Sequence, residues 1–300
     1  MSIYVQTNVS SLQTNNYLSQ ATSSLDTIYE RLSSGLRINS AKDDAAGLQI
    51  SDRLTSQIDG LNQGNRNAND GIAVAQTIEG ALDESTTMLQ RIRTLAVQAA
   101  NGTYTDEDRE SIQAEVTQLC QEITRIACQT TYGGATVLNG SAAELLVDGT
   151  ITFHVGSNEG DTISLNLTEG FTVASILKAV GVSSSATGIC SDGTGSANWA
   201  FSLTTTEGAE AVISYIDECV SFVDSKRADL GAIETRLESA ISTQTTTATN
   251  ESDARSRIRD TDFAEEASNL SAQTIIQQAA TSMLTQANSR SEIALTLLGG

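Results

Sequence analysis

The side chains able to carry out chemistry are few in this chain and poorly grouped. His154 is the single histidine, and it falls in a stretch that alternates like a strand. A zinc site of the H-E-x-x-H type needs a second histidine and is excluded. No G-x-x-x-x-G-K-[ST] phosphate loop and no G-x-S-x-G nucleophile turn occurs. The acidic pairs Asp43-Asp44 and Glu265-Glu266 sit on amphipathic helical patterns, where carboxylates are solvated faces or first-turn charges favoured by the helix dipole. None of Cys120, Cys128, Cys190 and Cys219 belongs to a C-x-x-C. Cys120 and Cys128 share one helical pattern and lie about 12 Å apart along its axis, beyond the roughly 7 Å Cα limit of a disulfide. Two readings stay open for these thiols: small buried hydrophobes, or a bridge from one of that pair to Cys219 on a packed helix. The N-x-[ST] triplets at Asn8, Asn101, Asn139, Asn166, Asn250 and Asn269 are expected by chance in a chain so rich in Asn, Ser and Thr. They would matter only behind a secretory signal. These residues argue against an enzyme and give no catalytic group, no metal site and no cofactor.

Composition narrows the class further. The chain has 300 residues, 17 Lys plus Arg against 37 Asp plus Glu, and a formal charge of −20. That balance argues against binding nucleic acid or anionic membrane through a basic surface. No apolar run reaches the roughly 18 residues of a membrane span. Met1 to Ser11 has neither the basic region nor the apolar stretch of a cleaved signal. The protein is expected either to stay in the cytoplasm or to leave by a route that needs no such signal. Aromatics are 6 Tyr, 5 Phe and 1 Trp, and proline is absent. With so few large apolar groups, long helices sealed by narrow seams of Leu, Ile and Ala are favoured over a broad layered core.

The patterning fits that expectation. Over the first forty residues Val5, Val9 and Leu12 follow helical spacing, and Leu18, Ala21, Leu25, Ile28 and Leu32 form an offset stripe ending at Gly35. Ser40 and Asp43 have capping-box spacing, so a very long helix is expected from Ala41 to Ala100. Its heptad-like seam steps through Leu54, Ile58, Leu61, Asn65, Ala68, Ile72, Ala75, Glu79, Leu82, Thr86, Leu89, Arg93 and Ala96. Gly60, Gly64, Gly71 and Gly80 argue against an unbroken helix. Asn101-Gly102 ends it. Thr105 and Asp108 give a second cap, followed by a seam at Ile112, Val116, Leu119, Ile123 and Ile126. Ile151, Phe153 and Val155 then alternate, as do Ile163, Leu165 and Leu167, with Asn158-Glu159-Gly160 between them: a β-hairpin region. From 168 to 207 Gly, Ser and Thr dominate, with a short helix expected over Val173–Val180. Helical spacing returns with Val212, Ile216, Val220, Val223, Leu230, Ile233, Leu237 and Ile241. A last helix is expected from Asp262 to Leu298, with Ala272, Ile276, Ala279, Met283 and Ala287 along one face. The fold is therefore mainly α: a long coiled-coil-like helical rod, a β-hairpin region, and amphipathic ends that pair.

Several ordered segments resemble one family. The run from Leu32 to Gly47 (LSSGLRINSAKDDAAG) is similar to the N-terminal signature of bacterial flagellin, and Leu89 to Gly102 (LQRIRTLAVQAANG) to its core-helix signature. Ser111 to Glu115 (SIQAE) fits the next helix of that family. Arg257 to Glu266 (RIRDTDFAEE) and Ile275 to Leu298 look like its C-terminus. The likeness covers about residues 1–167 and 208–300 and leaves 168–207 unmatched, as in a small flagellin with a reduced outer domain. Thr94 stands where many relatives have Glu, and four cysteines exceed the family's usual number.

The resemblance implies a structural subunit that polymerises into the bacterial flagellar filament for motility. It would leave through the flagellar type III channel without a cleaved signal. It implies an N-terminal inner-core helix over 1–40 and rod helices plus β-hairpin over 41–167. A surface-exposed variable segment would follow over 168–207, then a C-terminal rod helix over 208–257 and an inner-core helix over 258–300. Val9, Leu12, Ile28, Leu32, Leu270, Ile276, Leu284, Leu295 and Leu298 would form the polymerisation interface. Gln90, Arg91, Leu95 and Glu115 match the pattern read by a vertebrate Toll-like receptor. Ser183, Ser184, Ser185, Thr187, Ser191, Thr194 and Ser196 are candidate O-glycosylation sites, and the outer segment is expected to tolerate deletion. Implied partners are other flagellin copies, an export chaperone on the C-terminal helix, and the filament cap and hook-junction proteins. The alternatives are a hook–filament junction protein of the same family and an intracellular coiled-coil scaffold.

Overall fold

The computed structural model describes residues 7–183, 185–191 and 199–298. In chain order the α-helices are α1 (Val9–Ser34), α2 (Ala45–Ala100), α3 (Asp106–Gln129), α4 (Val173–Val180), α5 (Thr206–Arg259) and α6 (Phe263–Leu298). Among the described residues, three antiparallel two-stranded sheets lie between α3 and α5. They are β1 (Thr131–Tyr132) with β2 (Ala135–Thr136), β3 (Thr150–His154) with β4 (Thr162–Asn166), and β5 (Ile189–Ser191) with β6 (Trp199–Phe201). The chain divides into two compact units, one formed by residues 1–58 with 248–300 and the other by residues 59–247.

In the first unit α1 and α6 run antiparallel. Asn8 Nδ2 donates to the Ala287 carbonyl (2.8 Å), and Arg31 pairs with Glu266 (3.4 Å) at the opposite end. The offset stripe of α1 is buried at Ala21, Leu25 and Ile28. Among the described side chains of α6 the buried ones are Glu266, Ala280 and Ala287, with Leu270 and Leu284 half-buried. The stripe expected on α6 is therefore displaced. Ile276, Ala279 and Met283 are exposed, because α1 meets the neighbouring face, which carries Leu270 and Leu284. The linkers that flank this pair are tied together. Leu36 and Asp260 form an antiparallel bridge. The Arg37 amide donates to the Arg259 carbonyl (2.6 Å), and Thr261 returns a bond to Gly35 (3.0 Å). The Arg37 guanidinium caps the end of α5 at the Ile258 carbonyl (2.6 Å).

The expected start of α2 is also corrected. Asp43 does bind back to the Asn39 and Ser40 amides (3.1 and 3.0 Å), but it closes a separate turn. Asp44 is the residue that caps the helix, accepting from the Ala46 and Gly47 amides (both 3.0 Å). At α3 the Thr105–Asp108 capping box forms as expected.

In the second unit the seam of α2 faces inward: from Leu61 to Ala96 every seam position except Arg93 is buried or half-buried. The helix is unbroken despite its glycines, and three of them have a packing reason. A Cβ on Gly60 would lie 2.8 Å from Ser157, one on Gly71 3.1 Å from the Phe153 ring, and one on Gly64 would run into the Val155 carbonyl. The hairpin β3–β4 is seated on this bare strip. Gly80, by contrast, has open space around it.

Residues 168–207 are not merely a surface appendage. Phe171, Val173, Ile176, Leu177, Ala200, Phe201 and Leu203 are all buried in the same core as α2, α3 and α5. Phe171 lies 6.1 Å from Phe222 of α5, ring to ring. Gln113 of α3 clamps the end of β6, donating to the Phe201 carbonyl (2.7 Å) and accepting from the Leu203 amide (2.6 Å). The Gly, Ser and Thr of this segment mask a small number of well-placed apolar residues, which is why its pattern reads as loop. α5 likewise continues to Arg259, through the hydroxyl-rich stretch Ser242–Thr249. There Thr245, Thr246 and Thr247 return their hydroxyls to carbonyls one turn back.

Candidate functional site: the terminal helices and the exposed face of the core helices

The residues expected to form an assembly surface separate into three groups. Val9 (54% exposed), Leu12 (58%) and Ile276 (47%) stand in solvent, joined by Tyr17, Tyr29, Ile275, Met283 and Ile293. Leu32, Leu270 and Leu284 are half-buried. Ile28 is only 7% exposed and belongs to the α1 face that meets α6, so it holds the helix pair together and offers no surface to a second copy. The side chains of Leu295 and Leu298 lie outside the described residues. Sequence spacing missed Ile275, Tyr17 and Tyr29, whose positions fall between the stripes.

One partly shielded ion pair closes the pairing at the Arg31 end. The Glu266 side chain is 7% exposed and that of Arg31 32%. Asp262 caps α6 by accepting from the Ala264 and Glu265 amides (2.8 and 3.3 Å). Of the two acids singled out at this helix start, Glu266 is thus a structural anchor and Glu265 a solvated first-turn charge.

On the core helices, Gln90, Arg91 and Glu115 are exposed. Arg91 of α2 and Glu115 of α3 are brought together in an ion pair at 2.7 Å. Leu95 is 3% exposed and packs in the core, which corrects its expected place in a recognition surface: its position coincides with the inward side of α2. Thr94 is exposed and returns its hydroxyl to the Gln90 carbonyl (3.1 Å). Two contacts had no signal in the sequence. Arg93 forms a two-pronged pair with Asp217 of α5 (2.6 and 3.2 Å). The side-chain bond and the charge of Arg93 hold the Asp217 carboxyl below its ordinary range. Arg109 is buried and donates to the carbonyls of Ala99 (2.8 Å), Asn101 (3.3 Å) and Tyr104 (2.8 Å), fastening the turn between α2 and α3.

No disulfide joins the four cysteines. Cys120 and Cys219 are buried in one core and Cys128 is exposed. Burial, with smaller contributions from Glu218 and Cys120, pushes the Cys219 thiol up to about 12. His154 is exposed on β3, where it pairs with Thr162 and its carbonyl accepts from Asn67 Nδ2 at 2.8 Å. Ser183, Ser185 and Thr187 are exposed. Ser184, Thr194 and Ser196 lie outside the described residues, as does the side chain of Ser191.

Paired terminal helices that keep apolar side chains on their outer faces define a class: helical subunits suited to association with copies of themselves. The chain matches the bacterial flagellin N-terminal helical region over residues 5–143 and the bacterial flagellin C-terminal helical region over residues 213–298. Flagellin A of Vibrio cholerae serotype O1 is 36% identical, over 99% of this chain and 100% of its own. Polar flagellin C of Vibrio parahaemolyticus serotype O3:K6 is 34% identical over the same shares. A solved structure, that of a putative flagellar hook-associated protein from Vibrio parahaemolyticus, has a TM-score of 0.55 at 16% identity, covering 73% of this chain and 100% of its own, a likeness of fold alone. The chain belongs to the bacterial flagellin family. It is a structural subunit of the flagellar filament, and neither the junction-protein nor the scaffold alternative is favoured.

Proposed function

We propose that copies of this chain assemble through the outer faces of α1 and α6. The observation that carries this reading is the row of exposed apolar side chains there: Val9, Leu12, Ile275, Ile276 and Met283. Ile276 is 47% exposed, so covering it with a neighbouring copy is worth on the order of 1 kcal/mol per subunit, repeated along the polymer. Leu32, Leu270 and Leu284 would complete the surface from the rim, and Leu295 and Leu298 would extend it. The α1–α6 pair buries only a thin stripe, so it should gain order and protection from proteolysis when neighbours cover it. Export through the flagellar type III route, with a chaperone holding α6 beforehand, fits the same surface, since an unpolymerised apolar face must be shielded. The cap and hook-junction proteins would meet the polymer's ends.

The test is electron microscopy of purified protein after addition of a precipitant salt. The wild type is expected to form long tubes. Ile276→Asp is expected to form none while keeping its helical circular dichroism, because the side chain is exposed in the subunit. Tubes from Ile276→Asp in normal yield would remove this surface from the assembly.

A second reading concerns a vertebrate Toll-like receptor. It is favoured by the exposed Arg91–Glu115 pair with Gln90 beside it; the buried Leu95 would support the site from beneath. Arg91→Ala is expected to weaken receptor binding by the monomer more than any substitution in 168–207. O-glycosylation would fall on Ser183, Ser185 and Thr187, with Ser184, Ser191, Thr194 and Ser196 as further candidates. An intact mass of native protein equal to that of the unmodified chain would dismiss it.

A further inference from the structure

The turn between α2 and α3 contains Asn101-Gly102, and its surroundings differ from those of the chain's other Asn-Gly step, Asn139-Gly140. Asn101 and Gly102 are exposed, and the space around Gly102 is open. The Asn101 side-chain oxygen accepts from the Thr103 amide at 3.4 Å, an Asx-type arrangement that folds the carboxamide forward over the Gly102 peptide. The carbonyl of that peptide, the Asn101 oxygen, accepts from the Tyr104 amide (3.3 Å) and from the guanidinium of Arg109 (3.3 Å). Arg109 is itself 8% exposed; its Nε faces the exposed Asp106 carboxylate at 3.6 Å, while its Nη1 is directed at the Asn101 carbonyl. Asn139 is half-buried and Gly140 buried. A Cβ on Gly140 would lie 2.5 Å from the Gly170 nitrogen, and the Asn139 carbonyl accepts from the Ala142 amide.

We propose that Asn101 is a site of spontaneous deamidation, promoted by Arg109. The Gly102 nitrogen attacks after losing its proton to hydroxide, and the negative charge of the resulting amidate is shared with the Asn101 carbonyl oxygen. Arg109 donates to that oxygen and stabilises the charge as it forms. The Gly102 nitrogen bonds to the Asn101 side-chain carbon, the bond from that carbon to the side-chain nitrogen breaks, and ammonia departs with the proton it needs from water. Water then opens the five-membered imide at either carbonyl. One opening leaves an aspartate at position 101. The other leaves an isoaspartate, whose backbone passes through the former side chain. Both products add one negative charge beside Asp106 and Asp108. The isoaspartate also lengthens the main chain within the turn that Arg109 fastens, and so displaces the carbonyls it holds. Gly140 is buried, packed against the Gly170 backbone and held in a turn by the Ala143 amide on its carbonyl (2.9 Å), which restrains the backbone rotation that ring closure needs, so the reaction of Asn139 is slow in the folded chain.

The experiment incubates the full-length monomer at mildly alkaline pH and follows both positions by peptide mass mapping that separates aspartate from isoaspartate. A parallel sample is held in denaturant. In the folded protein Asn101 is expected to convert many-fold faster than Asn139. In denaturant, where both are plain Asn-Gly steps, the two rates are expected to converge. Folded-state rates that are equal, or faster at Asn139, would overturn the proposal without reference to any variant. Arg109→Lys, checked for native helicity, is expected to slow Asn101 and leave Asn139 unchanged. An unchanged or faster Asn101 in that variant would overturn the role of Arg109.

Discussion

Gly64→Ala is the substitution for which the structure makes the sharpest forecast, because two effects of known size oppose each other. Within a helix, Gly to Ala is worth roughly 1 kcal/mol in favour of Ala. At Gly64 the added Cβ would meet the main chain of Val155, its carbonyl carbon at 2.8 Å. That backbone cannot turn away as a side chain would, since β3–β4 is held in register along its length and the Val155 carbonyl also accepts from Gln244. Forcing one carbon into a closed contact costs about 1–3 kcal/mol or more. Contacts under 3.0 Å to main chain select the upper half of that range, about 2–3 kcal/mol, so the clash wins and the net loss should be about 1–2 kcal/mol, at about 2–4 °C of Tm per kcal/mol for a unit of this size. Gly80→Ala is the control: nothing lies within 4 Å of its Cβ, so only the propensity gain remains and Tm should rise by about 2–4 °C. Thermal melts of the full-length monomer followed by far-ultraviolet circular dichroism measure both. If Gly64→Ala raises Tm as Gly80→Ala does, the hairpin is not seated on α2 in solution.

Other expectations follow from single sites. Burial, and after it the charges of Glu79 and Glu238, raises the Glu234 carboxyl above its ordinary range, so this group favours the fold when protonated and that contribution is lost as pH rises through its folded pKa. Glu234→Gln should therefore stabilise at pH 7 by about 0.2–0.5 kcal/mol, the size of a relieved like-charge helix pair. The gain should vanish in urea melts under acid conditions; an equal gain at both would point to a cause other than charge. Iodoacetamide at mildly alkaline pH should label exposed Cys128 quickly and spare Cys219, whose thiol at about 12 stays protonated; labelling of both at one rate would contradict the packing of α5. Phe201→Ala should cost about 3–5 kcal/mol in denaturant melts, whereas changing the exposed Ser183, Ser185 and Thr187 to Ala should cost little. A mild effect of Phe201→Ala would return the segment to the status of an appendage.

What the sequence determined alone was local and repetitive. Helical spacing, the Thr105–Asp108 box and the turn residues are properties of adjacent positions, and they located α1, α3, α4 and β3–β4 closely. The heptad seam of α2 was legible because a narrow helix interface repeats the same contact many times. The ordered motifs at both ends carried the family without any contact being known. Tertiary structure decided what depends on a partner distant in sequence. Gly60, Gly64 and Gly71 read as helix breakers until β3–β4 is laid on them. Which face of α6 meets α1 could not be read, since Ile276 and Leu284 are equally apolar and only the partner's position chooses between them. Leu95 shares its stretch with Gln90 and Arg91 yet points inward, and the partners of Arg93 and Arg109 are set by the approach of α5 and by the turn into α3. Spacing records which side chains share a face. It holds no record of what covers that face, and for this protein the cover decides which residues are core and which stay exposed.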